Sequence, residues 1–242
     1  MNEKPRVSQF GVVELRRYTL HPGKRDELIE LFERKLVDSH DASGMTAIAH
    51  YTDLDDPDAF VWLRGFKDME SRRVALDFFY GRSPVWRNNR NAANDTMIDS
   101  DNVLLLRDAR PGGGFETRGL VRPFVGSPSG DPSFTGLAVL MLKARPDEAL
   151  VSAFEEGLLP ELREIASRVA YYVTEESPND YPRLPVREGE WAFVIAGLLP
   201  TQRALDAWSR AFESPHVPSS MAAAAISCET LRLVPAARSL LR

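Results

Sequence analysis

The sequence predicts an α+β fold, in which two tandem ferredoxin-like (βαββαβ) domains pack sheet against sheet into one barrel. Three observations lead there. Each half of the 242-residue chain repeats the same order of strand-like and helix-like patterns. Between the halves, "RPGGGFETRGLVRPFVGSPSGDP" is dense in glycine and proline, which marks a linker, since Gly raises and Pro removes the backbone freedom that regular elements must fix. A βαββαβ sheet also carries both helices on one face, so its other apolar face needs cover. The expected boundaries are 1–110 for the first domain, 111–133 for the linker and 134–242 for the second, divergent domain.

In the first half, residues 12–20 alternate as a strand does, and "GKRDELIELFERKLV" sets Leu28, Ile29, Leu31, Phe32 and Leu36 on one helical stripe. "GMTAIAHYT" and "AFVWLRGF" read as strands, "DMESRRVALDFFYG" as a second helix and "DNVLLLRDA" as a closing strand. The second half follows suit. "TGLAVLMLKA" is a strand, "PDEALVSAFEEGLLPELREIA" a helix, "RVAYYVTEE" and "EWAFVIAGL" strands, "TQRALDAWSRAF" a helix and "CETLRLV" the last strand.

Composition narrows the function. Hydrophobic residues make up 43% and charged residues 27%, with a net charge of −5, so no nucleic-acid footprint is expected. "DFFYGRSPVWRNNRNAAN" interleaves aromatics with arginines; here the aromatics are expected to anchor the second helix and the barrel mouth rather than to stack on bases. No apolar run reaches membrane-spanning length, and "MNEKPRVSQFGV" has no apolar h-region, so neither export nor membrane spanning is expected. With Cys228 as the single cysteine, the expected location is cytoplasmic. No P-loop, GxGxxG, CxxC or GxSxG motif occurs, and the four histidines lack zinc spacing. Neither a metal nor a cofactor is therefore expected. "DSHDASG", with Asp38, His40 and Asp41, reads as a solvated loop after the first helix.

The first strand poses the central question, because Glu14, Arg16 and Tyr18 share one face. Aligning Pro22 with Pro146 sets these three against Ala138, Leu140 and Leu142, and pairs Trp62 and Arg64 with Phe193 and Ile195. Val13, Leu15, Val61 and Leu63 suit helix contact, so the opposite face, with Glu14, Arg16, Tyr18, Trp62 and Arg64, is expected to point into the barrel. There a polar wall would face the Leu140 and Phe193 wall across a cavity. Arg16 and Arg64 can bind a carboxylate or enolate through the guanidinium fork. Tyr18 can donate to an oxyanion, and Glu14 can serve as a base if burial raises its pKa. His50, on the second strand with the parity of Thr46 and Ile48, is a further acid–base candidate. The alternative is that Glu14 and the arginines merely pair across strands.

"VELRRYTLHPGK", "AFVWLRGFKDMESRRVA" and "SPVWRNN" together resemble the NIPSNAP family of the dimeric α/β barrel superfamily. The matching residues are Glu14, Arg16, Tyr18 and the Leu20–Gly23 turn, with Trp62, Arg72 or Arg73, and Trp86. The resemblance covers 12–108 well and 135–235 only in element order. It implies a dimeric-type α+β barrel, closed here within one chain as a pseudo-dimer, with further homo-oligomerisation left open. The superfamily includes cofactor-free monooxygenases, haem-degrading enzymes and lyases. The expected function is binding, with turnover as an extension, of a small apolar metabolite bearing an anionic or carbonyl group in the barrel cavity, without metal or nucleotide. An enzyme of this kind would be a cofactor-independent monooxygenase or an isomerase or lyase. The competing reading is a non-catalytic interaction or scaffold protein with a filled barrel.

Overall fold

Strand β1 (Val12–Leu20) ends in a turn built by its own sequence. Pro22 presets its φ, Gly23 takes φ +74°, and Lys24 N–H donates to His21 O at 3.0 Å, a type II arrangement. Helix α1 (Arg25–Leu31) then runs through a π-helical turn, Phe32–Leu36, into α2 (Val37–Ala42). Strands β2 (Thr46–Asp53) and β3 (Ala59–Phe66) follow. Helix α3 (Met69–Leu76) is capped by Asp68, whose carboxylate accepts from Ser71 N–H at 2.7 Å. It continues through a second π turn, Asp77–Arg82, to α4 (Pro84–Asn94) and then β4 (Met97–Asp108).

The second half supplies β5 (Phe134–Leu142), α5 (Glu148–Gly157), α6 (Leu159–Ile165), β6 (Arg168–Thr174) and β7 (Trp191–Leu199). It closes with α7 (Gln202–Ala211), α8 (Ser219–Ala224) and β8 (Ala225–Pro235). The computed structural model describes residues 8–127, 130, 133–213 and 216–242, so the parts of the expected domains and linker at 1–7, 128–129, 131–132 and 214–215 lie outside the described residues. Several elements differ from expectation. α4 and α8 continue helical structure that the sequence pattern did not mark, and β4 begins at Met97 because its polar, exposed first residues hide the strand period.

Strand order is β4-β1-β3-β2 in the first half and β8-β5-β7-β6 in the second, the same order twice. Two short antiparallel seams join the sheets into one closed barrel: β2 to β8 at Tyr51↔Pro235 through Asp53↔Leu233, and β4 to β6 at Leu106↔Thr174 through Asp108↔Tyr172. Closure of this kind leaves fewer unpaired strand edges. Among the described residues no helix is long and apolar enough to cross a membrane.

The two faces of the sheet are the reverse of the expectation. Val13, Leu15, Val61 and Leu63 point inward, and with Leu104, Leu137, Val139, Tyr172, Val194 and Leu231 they fill the barrel. Phe115, from the Gly/Pro-rich stretch, is buried with them, and its N–H donates to the Tyr172 hydroxyl at 2.8 Å. Glu14, Arg16, Tyr18, Trp62 and Arg64 lie instead beneath the helices of the first half. The helix stripe does not decide the side, because this layer of helices accepts aromatic rings and guanidinium stems as readily as aliphatics.

In the second half the equivalent layer is apolar. Ala138, Leu140, Leu142, Phe193 and Ile195 pack with Phe154 and Trp208. The Trp208 indole lies directly on Gly136 and Gly197, where a Cβ would come within 2.3 Å of the ring at either position. Glycine is required there by close approach. Gly136→Ala or Gly197→Ala is expected to lower the unfolding free energy in urea by about 1–3 kcal/mol through overpacking, and adding Trp208→Leu should restore part of the loss.

Candidate functional site

The helix-side layer of the first half centres on one carboxylate. Glu14 Oε2 accepts from Arg64 Nε at 2.6 Å and from Arg16 Nη1 at 2.9 Å, and its Oε1 accepts from Arg72 Nε at 2.7 Å. All four side chains are at most 1% exposed. Register places them: Glu14 pairs with Arg64 and Arg16 with Trp62 across β1 and β3, while Arg72 comes from α3. A buried ion must be paired to be tolerated, and here each guanidinium uses the same anion.

Further partners hold the arginines in place. Arg16 Nε donates to the Tyr18 hydroxyl oxygen at 2.9 Å, Arg64 Nη1 donates to the Tyr80 hydroxyl at 3.2 Å, and Arg72 Nη1 donates to Asp180 at 2.5 Å and Asn179 at 3.1 Å. The Trp62 ring lies 5.8 Å from the Arg16 and 5.1 Å from the Arg64 guanidinium carbon, within cation–π range. Three guanidiniums face two carboxylates, which leaves one positive charge in excess. Arg64 Nη2, Arg72 Nη2 and the Tyr181 hydroxyl are buried with no hydrogen-bond partner among the described residues.

Electrostatics assign roles that differ from the expected ones. Burial alone raises the Glu14 carboxyl, but Arg64, Arg16 and Arg72 together overcome it and hold Glu14 well below the usual carboxylate range. The expectation that burial makes Glu14 a base is therefore reversed: this carboxylate is a fixed counter-ion. Burial raises the Tyr18 phenol, with Arg16 opposing, so Tyr18 is a neutral donor. Its oxygen accepts from Arg16, and its proton is left to donate elsewhere.

Beside Arg16 and Tyr18 lies a cavity of about 330 Å³, between the sheet and α4. Tyr80, Trp86, Asn94, Met97, Ser100, Tyr181, Arg183 and Leu184 complete its lining, which holds two arginines and no carboxylate. A second cavity, of about 300 Å³, is lined by Glu175, Glu176, Glu188 and Glu190 at the foot of the β6–β7 connection and contains none of the expected residues.

The expected site residues therefore divide. Glu14, Arg16, Tyr18, Trp62 and Arg64 come together in one layer. Leu140 and Phe193 do not join them, because they face the helices of their own half. His50 lies in the same layer as Trp62 but outside the cavity lining: its Nε2 is 2.9 Å from Glu33, and its ring is 5.0 Å from Phe32. Burial lowers its pKa, against Glu33. The expected parity with Ile48 fails because a bulge between Ala47 and Ala49 shifts the register and sends Ile48 into the barrel core. His40 is likewise not in a solvated loop. It sits in α2, buried and stacked on Phe79 at 4.2 Å, and desolvation lowers its pKa well below 6.5.

Sequence reasoning missed Tyr80, Asp180, Tyr181 and Arg183. Tyr80 is turned inward by the π turn that breaks the helical period, a device common at functional sites. The other three come from the β6–β7 connection of the other half, whose only sequence signal is the proline-spaced "SPNDYPRLP". Among the described residues no group of three or more His, Cys, Asp or Glu is arranged to hold a metal.

Residues 13–109 match the NIPSNAP family model. The NIPSNAP match thus covers β1 to β4 and every arginine of the Glu14 network. No curated protein matches the sequence. Among solved structures, a protein of Lactobacillus acidophilus provisionally named a monooxygenase is 14% identical, covers 94% of each chain and superposes with a TM-score of 0.56. An anthrone oxidase-like protein is 12% identical over 93% of this chain and 91% of its own, with a TM-score of 0.56. A dye-decolorizing peroxidase of Bacteroides thetaiotaomicron is 10% identical over 96% and 95%, with a TM-score of 0.55. These neighbours share the α+β barrel fold across both the half that matches the NIPSNAP model and the half outside the match, and a shared fold does not carry the reaction.

Replacing the central carboxylate tests the network. Glu14→Gln leaves three buried guanidiniums with one counter-ion fewer and is expected to cost about 3–5 kcal/mol in denaturant unfolding. Because the folded Glu14 carboxyl lies below its ordinary value of 4.5, its contribution is fully present above that value and is lost as pH falls toward the folded one. The stability of Glu14→Gln should accordingly fall less steeply than that of wild type on acidification below about pH 5, measured by urea titration at each pH.

Proposed function

We propose that the protein binds a small, largely apolar molecule carrying an anionic or carbonyl group, and that it does so between the sheet and helices of its NIPSNAP half rather than inside the barrel. One observation carries this reading: the cavity beside Arg16 and Tyr18 is walled by aromatic rings, holds two arginines and contains no carboxylate. Apolar walls with a few convergent polar groups are the usual composition of a small-molecule site, and the volume falls within the usual range. The barrel interior is filled, which supports only the part of the scaffold reading that concerns the barrel.

The network explains how such a wall is kept polar. Glu14 neutralises and orients Arg16, and Arg16 in turn orients the Tyr18 hydroxyl. A neutral phenol tied to a guanidinium is a preorganised donor to a carbonyl or enolate oxygen. Turnover of an enolisable substrate, where it occurs, would use Tyr18 as that donor, with Glu14 as an electrostatic support. The single cysteine, exposed at Cys228, supports a cytoplasmic setting.

A thermal-shift panel of aromatic and fatty carboxylates, run on wild type and Tyr18→Phe, tests the reading. A ligand at one hundred times its dissociation constant should stabilise wild type by about 2.7 kcal/mol, and Tyr18→Phe should shift less at the same concentration. No shift in wild type across the panel, or equal shifts in both proteins, would remove the cavity from function.

A further inference from the structure

The cavity belongs to the first half, yet one of its walls comes from the second. Tyr181, Arg183 and Leu184 lie on the connection between β6 and β7, and they line the space beside Arg16 and Tyr18. That connection is tightly built. Tyr181-Pro182-Arg183-Leu184 forms a turn in which Leu184 N–H donates to Tyr181 O at 3.0 Å, with proline at the position whose φ it presets. Asn179 braces the turn from within: its Oδ1 accepts from Tyr181 N–H at 3.1 Å, and its Nδ2 donates to Leu184 O at 2.9 Å. Asp180 then fastens the turn to the first half through Arg72, which also holds Glu14.

The polar groups on this wall differ in kind. Arg183 is exposed and makes no hydrogen bond or ion pair among the described residues, so it is a free cation at the cavity mouth. Tyr181 is buried, its ring is 6.4 Å from that of Tyr80, and its hydroxyl is unpartnered. Arg16 is buried and already commits Nε to Tyr18 and Nη1 to Glu14. Inside, Arg16 has only its Nη2 side left, 3.4 Å from the Ser100 carbonyl, and the other donors on the lining are neutral. At the mouth, the remaining donor carries a full charge.

We infer that the Asn179–Leu184 turn of the second half sets the specificity of the first half's cavity. Arg183 takes the carboxylate of an aromatic acid at the mouth, while the Tyr181 and Tyr18 hydroxyls meet neutral oxygen atoms or ring edges deeper in. The inference rests on the cavity reading above and adds to it the class of ligand, its orientation and the role of the second half. That role accounts for a strand connection carrying polar side chains into the other half's site, whereas the second half's own helix-side layer is packed shut.

Binding of 2-naphthoate and of 2-naphthamide, matched in ring and size, tests it by titration calorimetry on the full chain. Arg183→Ala should weaken naphthoate about tenfold, the loss expected for one charge-assisted hydrogen bond between opposite charges, and should weaken naphthamide distinctly less, by about threefold at most, since the amide carbonyl can accept from the guanidinium but carries no opposite charge. Asp180→Asn should weaken both probes together and speed trypsin cleavage after Arg183, because it loosens the turn without changing the charge that Arg183 carries. Unchanged naphthoate affinity in Arg183→Ala, or equal losses for both probes, would overturn the inference alone. Wild-type protein that binds neither probe would overturn it together with the cavity reading. Unchanged binding and cleavage in Asp180→Asn would remove the turn's anchor from the proposal.

Discussion

One buried carboxylate organises the first half of this protein. Glu14 receives hydrogen bonds from Arg16, Arg64 and Arg72, and none of the four reaches solvent to any useful extent. Removing such groups from water costs far more than one pair returns unless every donor finds a use. The surroundings supply most of those uses through Tyr18, Tyr80, Asn179, Asp180 and the face of Trp62, and leave Arg64 Nη2 and Arg72 Nη2 without a partner among the described residues. Strand register, the π turn after α3 and the docking of the β6–β7 connection all serve that one network. A cavity forms where the network meets α4.

The two halves solve one packing problem in opposite ways. Both leave a layer between sheet and helices, and the paired positions match closely: Glu14↔Arg64 and Arg16↔Trp62 in one half, Ala138↔Ile195 and Leu140↔Phe193 in the other. The second half closes its layer with Trp208 seated on Gly136 and Gly197. The first half fills part of its layer with charge and rings and leaves the rest open. One half thus carries the charged layer and its cavity and the other a closed apolar layer, with Asp180 as a physical link between them.

Much of the fold is legible along the chain because its signals are local. Alternation at Val12–Leu20, the Pro22–Gly23 turn and the Asp68 cap depend on neighbours within a few residues. The comparison of Glu14 with Ala138 and of Trp62 with Phe193 is also legible, since repeated element order sets the register. The side of the sheet was not. Most positions of β1, β2 and β3 are buried on both faces, and burial on both faces erases the inside–outside contrast on which periodicity depends. The bulge before Ala49 and the two π turns each add a residue to a period, so His50 and Tyr80 change sides without a local signal.

Two βαββαβ repeats, the barrel they close into, and the gathering of Glu14, Arg16, Tyr18, Trp62 and Arg64 on one face can be read along the chain. These follow from spacing, turn chemistry and the need of apolar faces for cover. Folding in three dimensions puts this face under the helices, makes Glu14 a shared counter-ion and brings Tyr181 and Arg183 to the same cavity. Those outcomes depend on contacts between residues distant in sequence, from Glu14 with Arg64 and Arg72 to Arg72 with Asp180. The energy of such contacts comes from shared burial, which no single stretch of sequence expresses.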